Sequence, residues 1–194
     1  MSDARPNRRE QKARATRRRI LVEATRLFAR QGYHKTTMTD LAAAIGMTQG
    51  AIFHHFPSKE AILHAVVDRL ARGLEAYRAC LEGPPSASGV RRVVDLMVVH
   101  FKQQPEATIC LAALATEFAG TDDPIVGRIL SAYGAFVDAF AEALRHHPRV
   151  SDPRAAAVSF MGAVQGIAIQ ALLRRDEVSI DALARGFLEM LSDW

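Results

Sequence analysis

Residues 36–59 read TTMTDLAAAIGMTQGAIFHHFPSK, a stretch where hydroxyls, an amide, glycines and a lysine recur at the starts of short helical patterns. Those side chains suit hydrogen bonding to a nucleic acid. Gln49 carries an amide that can make paired bonds to adenine, and Thr48 can reach a phosphate or a thymine methyl. Gly50 and Ala51 keep the first turn of that helix thin enough for close approach, and Phe53, His54 and His55 extend along the next turn. Thr36, Thr37 and Lys59 stand at helix starts, where hydroxyls, backbone N–H groups and positive charge can hold phosphates together.

The flanking residues supply the elements that position this chemistry. Thr37 lies three residues before Asp40, an Asp variant of the capping box, and opens a helix ending at Ile45. Gly46 permits a sharp turn, and Thr48 caps a second helix over 49–56. This is the layout of a helix-turn-helix. A preceding helix over 14–31 places Ile20, Leu21, Ala24, Leu27 and Phe28 on one face, and Gly32 suits a left-handed position after its last turn. Met38, Leu41, Ile45 and Ile52 are the expected core, with His55 and Phe56 locking the third helix against the first. Pro57 and Ser58 end that helix and begin a connecting helix over 59–81. The expected division is therefore a flexible basic arm (1–13), a DNA-binding head (14–58) and a larger body (59–194).

Charge follows the same division. Residues 1–59 hold 12 Lys/Arg against 4 Asp/Glu, whereas 60–194 hold 13 against 17, although the whole chain is only +4. A basic head on an acidic body points to a polyanion partner for the head alone. The two cysteines, Cys80 and Cys110, have no ligand or disulfide spacing, which suits a reducing cytoplasm and excludes a zinc module. The polar N-terminus is no secretion signal. Residues 155–173 form an uncharged run close to the length of a membrane span. Ser159, Gln165 and Gln170 interrupt it, so it reads as a helix buried on nearly all sides by protein, with no membrane partner.

From about residue 19 to 67 the chain resembles the DNA-binding head of the TetR family of bacterial repressors. The resemblance rests on the GY–TT spacing, the DLAAAIG helix and the closing HFPSKE. It implies an all-α homodimer with a larger ligand-binding domain and repression released by a small molecule. It also carries DNA contact onto Thr37, Thr48, Gln49, Gly50, Phe53, His54 and Lys59. Phe53 stands where the family usually has Tyr, which removes a phosphate-bonding hydroxyl.

Beyond a polar loop at 82–89, helical spacing continues near 90–103, 106–119, 124–146, 153–174 and 180–193, for about nine helices in all. This body shows no metal spacing, phosphate loop or nucleophile with a base beside it, and no cofactor is expected. Met97, Phe101, Leu114, Phe118, Phe136, Phe140 and Met161 form an apolar lining of the kind an adaptable pocket uses, with His100, Tyr133 and Gln165 as polar contacts. Gln103 and Thr116 are further polar candidates. Phe160, Gly162, Gly166 and Ile169, with Leu183, Phe187 and Leu191 on the last helix, are the expected dimer surface, pairing as a four-helix bundle.

The expected function is a repressor that binds a palindromic operator as a dimer and is released by a small, largely apolar molecule. A sequence-blind nucleoid-type DNA binder is the alternative, and an enzyme with a DNA-binding appendage is a further one. Cys110 is read as a buried inert thiol, with an oxidant sensor as the sharper alternative.

Overall fold

The computed structural model describes residues 7–81 and 87–191, and helices are the only regular elements among them. They run α1 (Arg8–Gln31), α2 (Met38–Ile45), α3 (Gln49–Phe53), α4 (Lys59–Ala79), α5 (Ala87–Gln103), α6 (Pro105–Phe118), α7 (Ile125–Leu144), α8 (Pro153–Leu173) and α9 (Ile180–Met190). Residues 1–6 of the expected arm and 82–86 of the expected loop lie outside the described residues, and 87–89 belong to α5.

Local chemistry sets most helix starts. Asn7 and Glu10 form a capping box, so α1 begins at Arg8 and residues 8–13 are helix instead of arm. Thr37 and Asp40 form the same device at α2, and Thr48, Ser58, Asp152 and Ser179 cap α3, α4, α8 and α9. Gly46 ends α2 at φ +65°, a left-handed conformation that a side chain strains. Helix α3 is shorter than expected, closing at Phe53.

Two cores hold the bundle. The first joins Ile20, Ala24 and Phe28 of α1 to Leu41 and Ile45, Ile52 and Phe56, Ile62 and Val66, and then to Cys110, Leu111, Leu114 and Phe118 of α6. The head therefore has no core of its own; α1 lies directly on α6. Phe28 is fully buried, and its truncation to Ala costs about 3–5 kcal/mol. The second core gathers Val93, Val94 and Met97, Phe136 and Phe140, Phe160, and Ile180 and Ala184.

Helix α8 makes only part of its expected burial, which included cover by a second copy, within one chain. Within the chain it buries only Ala157, Phe160, Ala168 and Ala171, while Val158, Ile169 and Leu173 are exposed, Leu173 by 70%. It is long and apolar enough to cross a membrane by length and composition. Phe160 belongs to the interior: its ring lies 4.5 Å from that of Phe140, so it is withdrawn from the expected dimer surface. Gly162 and Ile169 are exposed, and Gly166, Leu183, Phe187 and Leu191 are half-buried.

Candidate nucleic-acid interface and adjoining cavity

The start of α3 is open. Thr48, Gln49 and Gly50 are exposed, and nothing lies within 4 Å of the point where a Cβ on Gly50 would sit. Thr48 spends one hydroxyl lone pair on the Ala51 N–H, 3.2 Å away. The Gln49 amide donates to the Thr39 hydroxyl, which ties the ends of α2 and α3 together and orients the amide. Thr39 is exposed beside it, a further candidate that the sequence does not signal because it carries no cap or turn role of its own. Phe53 is 46% exposed and His54 is exposed, so the second turn of α3 also faces outward.

Three of the sequence candidates are turned to other work. Thr36 is fully buried, and its hydroxyl donates to the Gly32 carbonyl at 2.7 Å, so its side chain offers nothing to a phosphate. The Lys59 ammonium donates to the carbonyls of Tyr33, His34 and Thr36 at 2.9–3.3 Å and lies 4.3 Å from the Tyr33 ring centroid. It braces the turn between α1 and α2 from inside. Thr37 is exposed, but its hydroxyl is shared with Asp40 as donor and acceptor and its N–H donates to the Asp40 carboxylate at 2.8 Å, so the helix cap already uses both. Those bonds from Thr37, backbone first and then side chain, hold the Asp40 carboxyl below its ordinary pKa.

Basic residues surround this surface in a different arrangement from the expected arm. Arg17 lies 3.9 Å from the Phe56 ring centroid and donates to the His55 carbonyl, and Arg19 donates to the Ile45 carbonyl at 3.1 Å. Both bind α1 to the helix-turn-helix. Desolvation, then His54, then Arg17 lower the His55 pKa, so its imidazole is neutral near pH 7.

The turn between α1 and α2 is held from the body as well. Glu117, near the end of α6, accepts the Tyr33 N–H at 2.7 Å, the His34 N–H at 2.8 Å and pairs with His34 Nδ1 at 2.6 Å. Gly32 makes the approach possible. Its φ is +86°, and a Cβ there would meet the Glu117 carboxylate oxygens at 3.2–3.3 Å. Burial raises the Glu117 pKa, but the His34 and Tyr33 N–H groups and the His34 ring together outweigh it and leave it lowered.

A cavity of about 270 Å³ lies under the head, walled by α4, α5, α6, α7 and α8. Met97, His100, Tyr133, Phe136, Met161 and Gln165 line it as the sequence pattern suggests, and Gln103 joins them. Phe101, Leu114, Phe118 and Phe140 do not. Leu114 and Phe118 are spent on the core between α1 and α6, Phe140 on the ring cluster with Phe160, and Phe101 packs against that second core. Thr116 is exposed and bonds the Ala112 carbonyl instead. The missed wall is α4, with Arg69, Leu70, Gly73, Leu74 and Tyr77, together with Thr108 of α6.

Polar groups in the cavity are paired with one another. Gln165 Nε2 donates to the Tyr133 hydroxyl at 2.6 Å, and the Tyr77 hydroxyl lies 2.8 Å from His100 Nδ1. Burial pushes both phenols up and His100 down, so all three are neutral near pH 7. Cys110 sits behind this wall, fully buried, with its thiol pushed up to about 12 by desolvation. That environment contradicts the oxidant-sensor alternative and fits the inert thiol. No cluster of three or more potential metal ligands occurs among the described residues.

The described residues thus form an all-α bundle with an open helix-turn-helix beside an internal cavity. Residues 20–66 match the family model described as "Bacterial regulatory proteins, tetR family". A transcriptional repressor of Mycobacterium tuberculosis is 54% identical over 52 residues, 27% of this chain and 28% of that protein. The regulator UidR of Escherichia coli is 35% identical over 72 residues, 37% of each chain. These curated relatives are thus matched over about a third of their length.

Solved structures extend the likeness of fold to the body. A TetR-family regulator from Agrobacterium tumefaciens superposes with a TM-score of 0.74 at 24% identity, over 92% of this chain and 98% of that one. A transcriptional regulator from Saccharomonospora viridis, solved with choline, gives 0.69 at 25% identity over 92% and 96%. AibR, solved with isovaleryl coenzyme A and operator DNA, gives 0.74 at 24% identity over 90% and 96%. The head, residues 20–66, thus matches the tetR family model, and the body is similar in fold to solved TetR-family regulators.

Proposed function

We propose that the chain is a ligand-responsive transcriptional repressor of the cytoplasm that binds a palindromic operator as a dimer. Gln49 and Thr48 read bases, Gly50 allows the groove approach, and His54 with the basic face of α1 meets phosphates. Phe53 contributes packing without a hydroxyl, so the phosphate grip is correspondingly weaker there.

One observation carries this reading: α4 and α6, which wall the cavity, are also the helices that hold the head. Helix α6 lines the cavity through Ala107, Thr108 and Leu111 and clamps the α1–α2 turn through Glu117. Helix α4 lines it through Leu70 and Tyr77 and braces the same turn through Lys59. A small, largely apolar molecule that separates α4 from α6 favours a state in which the two heads of a dimer no longer match successive major grooves. The ligand must bind that state more tightly than the DNA-bound one. The exposed face of α8, with Gly162, Ile169 and Leu173, is the surface a second copy covers. The AibR complex with both a ligand and operator DNA is a precedent for the arrangement in a similar fold.

The test is selection of duplexes from a random pool, followed by titration of the selected site and a random duplex at fixed salt. A repressor favours the selected site by at least about 10³, with log affinity falling steeply against log salt. Equal affinity for both duplexes supports the sequence-blind alternative. A flat salt slope removes the DNA reading altogether.

A further inference from the structure

Arg69 is the only charged side chain, with His100 neutral, among the residues lining the cavity, and its partners are all neutral. Nη2 donates to the Gln104 amide oxygen at 3.1 Å, and Nη1 lies 3.4 Å from the Thr25 hydroxyl. No carboxylate pairs with it among the described residues. The charges that act on it most strongly besides Cys110 are cations, Arg18 and Arg72. Half-buried arginines are ordinarily paired, because desolvating an unpaired guanidinium is costly and its five donors match a carboxylate fork. Here the matching acid is missing while the guanidinium borders an empty space.

The rest of that space carries no charge and is mainly apolar. Phe136, Met97 and Met161 line it, the Gln165 amide donates to the Tyr133 hydroxyl, and the Tyr77 hydroxyl lies 2.8 Å from His100 Nδ1. A guest therefore meets one cation without an acid partner in a mainly apolar lining. The volume exceeds the roughly 150 Å³ of an engineered cavity that holds benzene.

We propose that the cavity takes a compact organic monoanion, a carboxylate on an apolar body, with the carboxylate held by Arg69. This rests on the ligand-responsive reading given above and names its ligand class. A carboxylate displaces the Gln104 amide because charge-assisted hydrogen bonds are about twice as strong as neutral ones. In turning to the ligand the guanidinium leaves Thr25, which lies on α1, so recognition of the anion is felt on the helix that carries the head.

Matched sets of carboxylate, primary alcohol and primary amine on the same tails test this. The tails are straight chains of four to ten carbons and phenylalkyl groups of similar size, and binding is read by calorimetry on the full chain. Carboxylates are expected to bind at least about tenfold tighter than their alcohols, and amines weakest. Arg69→Gln is expected to remove the difference between acid and alcohol, and Arg69→Lys to retain part of it. Should Arg69→Gln fail to fold by circular dichroism, the acid–alcohol comparison on the unaltered chain decides alone. Alcohols or amines binding as tightly as acids overturn the proposal, as does failure of every acid to bind below millimolar concentration.

A parallel arm follows release of the selected DNA duplex. Acids that bind through Arg69 without releasing DNA leave the anion site standing and remove the ligand-responsive reading. Uncharged members that bind and release DNA do the reverse.

Discussion

Replacing Glu117 probes the clamp between body and head most cleanly, because one carboxylate serves two backbone N–H groups and a ring nitrogen. The Glu117 side chain is 22% exposed, so these bonds compete with little bulk water. Each charge-assisted bond is worth about 1.5–3 kcal/mol. The Tyr33 N–H is part-buried and loses nearly that full amount, whereas the exposed His34 groups can rebond to water. Glu117→Ala therefore costs about 2–3 kcal/mol. For a chain of this size that is a fall in Tm of about 5–10 °C at fixed protein concentration. The Glu117 pKa is lowered in the folded chain, so its contribution is full above the ordinary glutamate value of about 4.3 and is lost as pH falls through the folded value. The Tm gap between the parent chain and Glu117→Gln is expected at pH 7 and is expected to close as pH falls well below the ordinary glutamate value. A Tm change under about 1 °C at pH 7, or a gap that widens as pH falls below the ordinary glutamate value, refutes the clamp.

Further outcomes follow from single features. Gly46→Ala places a side chain at φ +65° with open space around it, so its cost is conformational alone, about 1–2 kcal/mol by denaturant titration. Cys110 stays unmodified by mild peroxide in mass spectra, since its thiol is buried and pushed up to about 12; modification in the folded chain contradicts this. The double change Ile169→Glu and Leu173→Glu puts charge on the exposed face of α8 without touching the core. It converts a dimer to a folded monomer in sedimentation at micromolar concentration, and an unchanged sedimentation coefficient rejects that surface as the interface.

The parts of this molecule legible in its sequence are those specified within a few residues. Thr37 with Asp40, Gly46, and Thr48 announce the helix-turn-helix because capping and turn geometry are local. Asn7 with Glu10 is the same device, yet it lies inside an arginine-rich run that reads as an arm. What sequence leaves hidden depends on partners far along the chain. Nothing near Thr36 shows that its hydroxyl turns inward to Gly32. Lys59 resembles a phosphate contact until the three carbonyls of the α1–α2 turn are seen to surround it. The cavity divides in the same way: Met97, Phe136 and Met161 stand out as bulky residues on apolar helices. Arg69 and Tyr77, by contrast, resemble the solvated side of a connecting helix. Phe140 and Phe160 carry the same signal as Phe136, but their rings pack on one another, tilted by 52°, away from the cavity. The uncharged run of α8 reads as buried on nearly all sides, whereas within one chain Val158, Ile169 and Leu173 are exposed.

The account turns on Gln49 reading bases from the open start of α3. The decisive measurement is the affinity of Gln49→Ala for the selected operator and for a random duplex, at one salt concentration. The predicted result is a loss of about 5- to 150-fold on the operator for each half-site read, corresponding to about 1–3 kcal/mol, with random-duplex binding and the salt slope unchanged. An equal loss on both duplexes, or none on the operator, contradicts it.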